Sequence, residues 1–137
     1  MHPMLLMSAG VTAGLAVSLT LRFVWAGVAR RQGSTHWRDA SAANELLYIG
    51  GHCLFGASLG LLFWLSWGFT ALVDLNWWQR GVAFGVIVAL LFGPPPMLVM
   101  RSVLHVPSVQ IWFWLCEVTL LGLATGLNCS WHWQSAF

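Results

Sequence analysis

Two residues in this chain have types and settings that reach beyond packing: Glu117 and His52. Glu117 lies inside an apolar run with Leu121, Ala124 and Asn128 on its helical face, and His52 lies in another run on one stripe with Glu45, Tyr48, Gly56 and Gly60. An ionisable group placed in hydrocarbon is costly, which makes each a candidate site. A carboxyl at that depth needs a proton or a partner. Both residues enter their helices about one and a half turns from the same side, so a contact between them is expected across parallel second and fourth helices. Three chemistries remain open for the pair: an interhelical hydrogen bond that sets register, worth about 1 kcal/mol, a proton or substrate site, or ligation of a cofactor.

The other reactive side chains carry less. A haem or chlorophyll-type pigment needs an axial histidine over a groove of small residues, and His52-x-x-x-Gly56-x-x-x-Gly60 has that form. A second intramembrane histidine is missing, so no cofactor is indicated. Met1, His2, Met4 and Met7 are soft copper-type ligands by chemistry, but methionine in such a helix reads as packing. His52 with Cys53, and Cys116 with Glu117, are sequence neighbours pointing about 100° apart on a helix, so neither pair is expected to share a metal. Cys53, Cys116 and Cys129 form no CxxC and predict no disulfide framework. Arg22 reads as an anchor snorkelling to the interface, and Arg101 and His105 as headgroup contacts with Glu117 as the other choice. Asn128-Cys129-Ser130 matches a glycosylation acceptor only formally. No nucleophile elbow, P-loop, HExxH or paired-carboxylate site occurs, and no catalytic residue is expected.

The elements that must hold these residues follow from composition. The chain has 137 residues, 58% hydrophobic and 7% charged, with mean hydropathy +0.75, whereas a soluble domain carries roughly 25% charge. A water-soluble globule is excluded. Six arginines against four acids are too few to grip nucleic-acid phosphates. An all-α integral membrane bundle of four transmembrane helices is expected over residues 1–137, at about 4–28, 46–69, 77–100 and 111–129, each long enough to cross a bilayer. Ser41 or Asn44 is the expected N-cap of the second helix. Gly93-Pro94-Pro95-Pro96 should interrupt the third and could act as a hinge, because three prolines remove three donors. The aromatic groups Trp77-Trp78, Trp112-Phe113-Trp114 and Trp131-His132-Trp133 have interfacial character. No Lys or Arg precedes Arg22, so the first helix is expected to stay rather than leave as a signal. Arg30, Arg31, Arg38 and Arg101 fall on one side and Arg80 on the other, which puts both termini outside the cytoplasm.

One phrase recurs in all four segments: Gly10-x-x-x-Gly14, Gly56-x-x-x-Gly60, Gly85-x-x-x-Ala89 and Gly122-x-x-x-Gly126. Residues four apart share a face, and without side chains there the backbones of two helices can close on each other in lipid. From His52 onward the order of features resembles the YagU-like group of small, uncharacterised bacterial inner-membrane proteins. The features are His52 and Phe55 opening a helix, Trp78-Gln79-Arg80-Gly81 opening the next, prolines ending it, Pro107, and Glu117 in the last. Leu120 and Leu121 stand where that pattern leads one to expect a histidine after the acid. The resemblance implies a multi-pass protein of the bacterial inner membrane without a settled activity. The leading functional expectation is a non-catalytic structural or accessory subunit of a larger membrane complex, with other membrane subunits or a second copy as partners. The alternative is a small oligomeric transporter or proton-coupled carrier using Glu117 and His52, and the third is a pigment- or haem-binding subunit.

Overall fold

A computed structural model describes residues 2–32, 42–66, 74–105 and 108–135 of the chain. Five helices follow one another: α1 (Pro3–Gln32), α2 (Ala42–Leu65), α3 (Trp77–Phe92), α4 (Pro94–Val103) and α5 (Ser108–Gln134). They form four spans long and apolar enough to cross a membrane, with α3 and α4 together making the third. The molecule is an all-α, multi-pass membrane bundle.

The helix limits depart from the hydropathy reading at identifiable places. Arg30 and Arg31 belong to the end of α1, not to a loop. α2 begins at Ala42, so Asn44 lies in its first turn and does not cap it, while Ser41 and the expected end at Phe69 lie outside the described residues. The break in the third span falls at Gly93, and the chain resumes helix at once because proline is tolerated in a first turn, where an N–H has no helical acceptor. That second piece runs to Val103, past the expected end at 100. α5 continues through Trp131-His132-Trp133 to Gln134, beyond the expected 129. Tertiary contact extends it: Cys129, Ser130 and Trp133 are buried, and the Trp133 ring meets Phe63 edge-on at 6.3 Å between centroids.

The glycines sort the helices into two pairs. A Cβ on Gly10 would strike the Gly56 carbonyl, one on Gly14 the His52 carbonyl and one on Gly60 the Leu6 carbonyl, so α1 and α2 lie backbone against backbone. In α3 and α5, a Cβ on Gly126 would strike the Gly81 carbonyl, and one on Gly85 would sit 2.7–2.9 Å from Leu123 atoms. The four small-residue faces therefore do not form one shared layer. Between the pairs the core is made of larger side chains, including Leu59, Phe63, Phe84, Val88 and Leu121.

Candidate functional site

Glu117 sits on α5 where both helices of the first pair pass it. The Trp25 indole N–H of α1 donates to Glu117 Oε1 at 2.7 Å, and the Tyr48 hydroxyl of α2 donates to the same oxygen at 2.7 Å. One carboxyl oxygen thus joins three helices. Hydrogen bonds that converge on one carboxyl oxygen are strengthened where the surrounding dielectric is low. Trp25 is fixed in turn by Phe113, whose ring centre lies 4.0 Å away.

His52 is one turn along α2 from Tyr48. Its Nδ1 lies 2.9 Å from the Tyr48 carbonyl oxygen, and the two rings meet at 4.3 Å. A carbonyl only accepts, so Nδ1 carries the hydrogen. The expected His52 to Glu117 contact is not made. Tyr48 occupies the position between them, with its hydroxyl on the acid and its carbonyl on the imidazole. Both residues nevertheless face one cavity of about 380 Å³ between α2 and α5, walled by Leu47, Phe55, Val118 and Leu121.

The proline break touches this site. Pro94, Pro95 and Pro96 cannot donate to the carbonyls of Leu90, Leu91 and Phe92 as ordinary helical residues would. The Trp114 indole N–H takes over for one of them, donating to the Phe92 carbonyl at 3.2 Å. Trp114 is also part of the cavity wall, and Phe55 packs edge-on against Phe92 at 5.8 Å.

Towards the end that the arginines mark, Arg22 pairs with Glu45 at 2.6 Å, joining α1 to α2. Because α1 runs on to Gln32, Arg22 lies nearly three turns before the helix end, and it serves as a partner for α2. Arg101 and His105 are exposed, and Glu117 takes its hydrogen bonds from Trp25 and Tyr48 instead. Three turns further along α5 from Glu117, the Asn128 amide donates to the Ala9 carbonyl at 2.9 Å and to Thr12 Oγ1 at 3.0 Å. One stripe of α5 is hydrogen-bonded to α1 at both ends.

His2 Nδ1 accepts from the Met4 backbone N–H at 3.3 Å, a local contact at the start of α1. Cys53, Cys116 and Cys129 are free thiols. Among the described residues, no three His, Cys, Asp or Glu side chains gather to hold a metal ion. Trp25 and Trp114 are the site residues that spacing did not reveal. Trp25 follows Leu21 by one turn on a buried stripe of α1 with Ser18, and that periodicity is the signal that could have separated it from interfacial tryptophans.

Fold and site together define the class: a helical multi-pass membrane protein with a polar cluster at the edge of a half-open cavity between α2 and α5. No family model, curated protein or solved structure matches the chain.

Proposed function

We propose that the chain is a membrane-embedded binding protein of the carrier type, which takes a small amphiphilic solute between α2 and α5 and uses Glu117 as its polar anchor. One observation carries this reading. Two donors from two other helices fix one oxygen of an intramembrane carboxyl beside a cavity of about 380 Å³, within the range of roughly 300–1,000 Å³ typical of small-molecule sites. A carboxyl that served only to set register would not need such a space next to it. His52 shares the wall, and the break at Gly93 adjoins it through the Trp114 bond to the Phe92 carbonyl at the end of α3.

A structural or accessory subunit draws its contact surface from the small-residue faces. Here those faces are taken up within the chain, which favours the cavity as the seat of function over the outer surface. A haem or pigment at His52 would have to ligate through Nε2, since Nδ1 is engaged. The reading does not require one, nor any catalytic step. We place the protein in a bacterial inner membrane with Arg30, Arg31, Arg38 and Arg101 in the cytoplasm and both termini outside, a placement that the YagU-like resemblance also favours.

The test is native mass spectrometry and absorption spectroscopy of the full chain purified in mild detergent. A bound small molecule should accompany the wild type, and its occupancy should fall in Glu117→Gln and in Gly51→Leu, which fills the cavity. A stoichiometric protein partner retained by both variants, with no small molecule in the wild type, overturns the carrier reading in favour of an accessory subunit. A Soret-type band overturns it in favour of a haem protein.

A further inference from the structure

The polar atoms around the cavity are unevenly divided between donors and acceptors, and the imbalance specifies a ligand. The indole N–H of Trp25 and the hydroxyl of Tyr48 are both directed to Glu117 Oε1. The Nδ1–H of His52 is directed to the Tyr48 carbonyl, and the Trp114 N–H to the Phe92 carbonyl. The side-chain N–H and O–H donors of the wall, and that of Trp25 beside it, are therefore engaged within the protein. What remains is, in the ionised carboxyl, Glu117 Oε2 and, in the neutral imidazole, the lone pair of His52 Nε2, both acceptors. A ligand that itself brings only acceptors would leave these two partly buried acceptors unpaired, which is unfavourable.

Charge points the same way. Arg22, the arginine nearest in the chain to Trp25, is paired with Glu45, and among the described residues Glu117 has no ion-pair partner. The rest of the wall is apolar or aromatic and includes Phe55 and Trp114, and aromatic faces attract cations. The volume, near the lower end of the range for small-molecule sites, fits one ring or a short alkyl body.

We propose that the cavity takes an apolar primary amine in its protonated form, with the ammonium between Glu117 Oε2 and His52 Nε2 and the apolar body against Phe55 and Trp114. This rests on the binding-protein reading above and adds the class of solute. The ammonium supplies the donors and the charge that the site lacks, and the ligand's apolar part meets Leu47, Val118 and Leu121.

The experiment is isothermal titration of the full chain in mild detergent with three probes on one skeleton: 2-phenylethylamine, 2-phenylethanol and 3-phenylpropionate. The amine should bind at least about tenfold more tightly than either of the others, equal to about 1.4 kcal/mol. Glu117→Gln should weaken the amine by about tenfold or more. Its amide oxygen can still accept from Trp25 and Tyr48, so its melting temperature should stay near that of the wild type. Gly51→Leu, at a residue that makes none of the carboxyl hydrogen bonds, should weaken all binding by filling space. Equal binding of the alcohol or the acid, or undiminished amine binding in Glu117→Gln, overturns the amine proposal. If the three probes fail while a copurified molecule still depends on Glu117 and Gly51, the amine class falls and the binding-protein reading stands. If no molecule depends on either residue, both fall.

Discussion

The two seams inside the helix pairs and the seam between the pairs are built by different means. Within α1 and α2, glycines bring main chain onto main chain at Gly10, Gly14, Gly56 and Gly60. Between the pairs, contact is made by side chains: Trp25 and Tyr48 on Glu117, Asn128 on Ala9, and the rings of Phe63 and Phe84 at 5.0 Å. Backbone carbonyls cannot rotate aside, whereas side chains can change rotamer. The pairs are therefore the rigid units, and the cavity occurs in the seam that has room to adjust.

This contrast is open to direct attack. Gly56→Leu should have the largest effect, because its side chain meets the Gly10 carbonyl. A loss of about 3 kcal/mol or more, or failure to assemble, is expected in detergent unfolding, and a near-wild-type melt would mean that the α1 and α2 seam is not rigid. Next comes Glu117→Ala, which leaves the Trp25 and Tyr48 donors without an acceptor and should cost about 1–3 kcal/mol. Double-mutant cycles with Tyr48→Phe would reveal that coupling, and strictly additive effects would dissolve the cluster. Asn128→Ala should cost about 1 kcal/mol by the same unfolding measurement. Gly50→Ala should have the smallest effect: nothing lies within 4 Å of a Cβ there, so the helix should gain up to about 1 kcal/mol from propensity. Destabilisation by that change would show that glycine matters in this bundle wherever it occurs.

Hydropathy made the four spans and the proline break legible, because length and apolar content act locally. The choice of helix partners was not legible. All four small-residue phrases have the same form, and nothing in a glycine names the helix that will press against it. Glu117 and His52 stood out as ionisable groups in apolar runs, and the structure brings them to one cavity. The intervening Tyr48 was visible on the His52 stripe, but its role depends on α5 arriving at a particular height. Trp25 was hidden for another reason. A tryptophan near a helix end reads as interfacial, and only its bond to a residue 92 positions away distinguishes it.

The placement of Glu117 in the last helix has a consequence for biogenesis. During synthesis α1 and α2 emerge first, and Arg22 and Glu45 can neutralise each other as soon as that hairpin forms. Trp25 and Tyr48 must wait for α5 before their donors find an acceptor. Until then the nascent hairpin carries two unanswered polar groups in lipid. The final helix is thus a latch, and a chain halted before Ser108 would present those groups to any quality-control protease that samples unassembled spans.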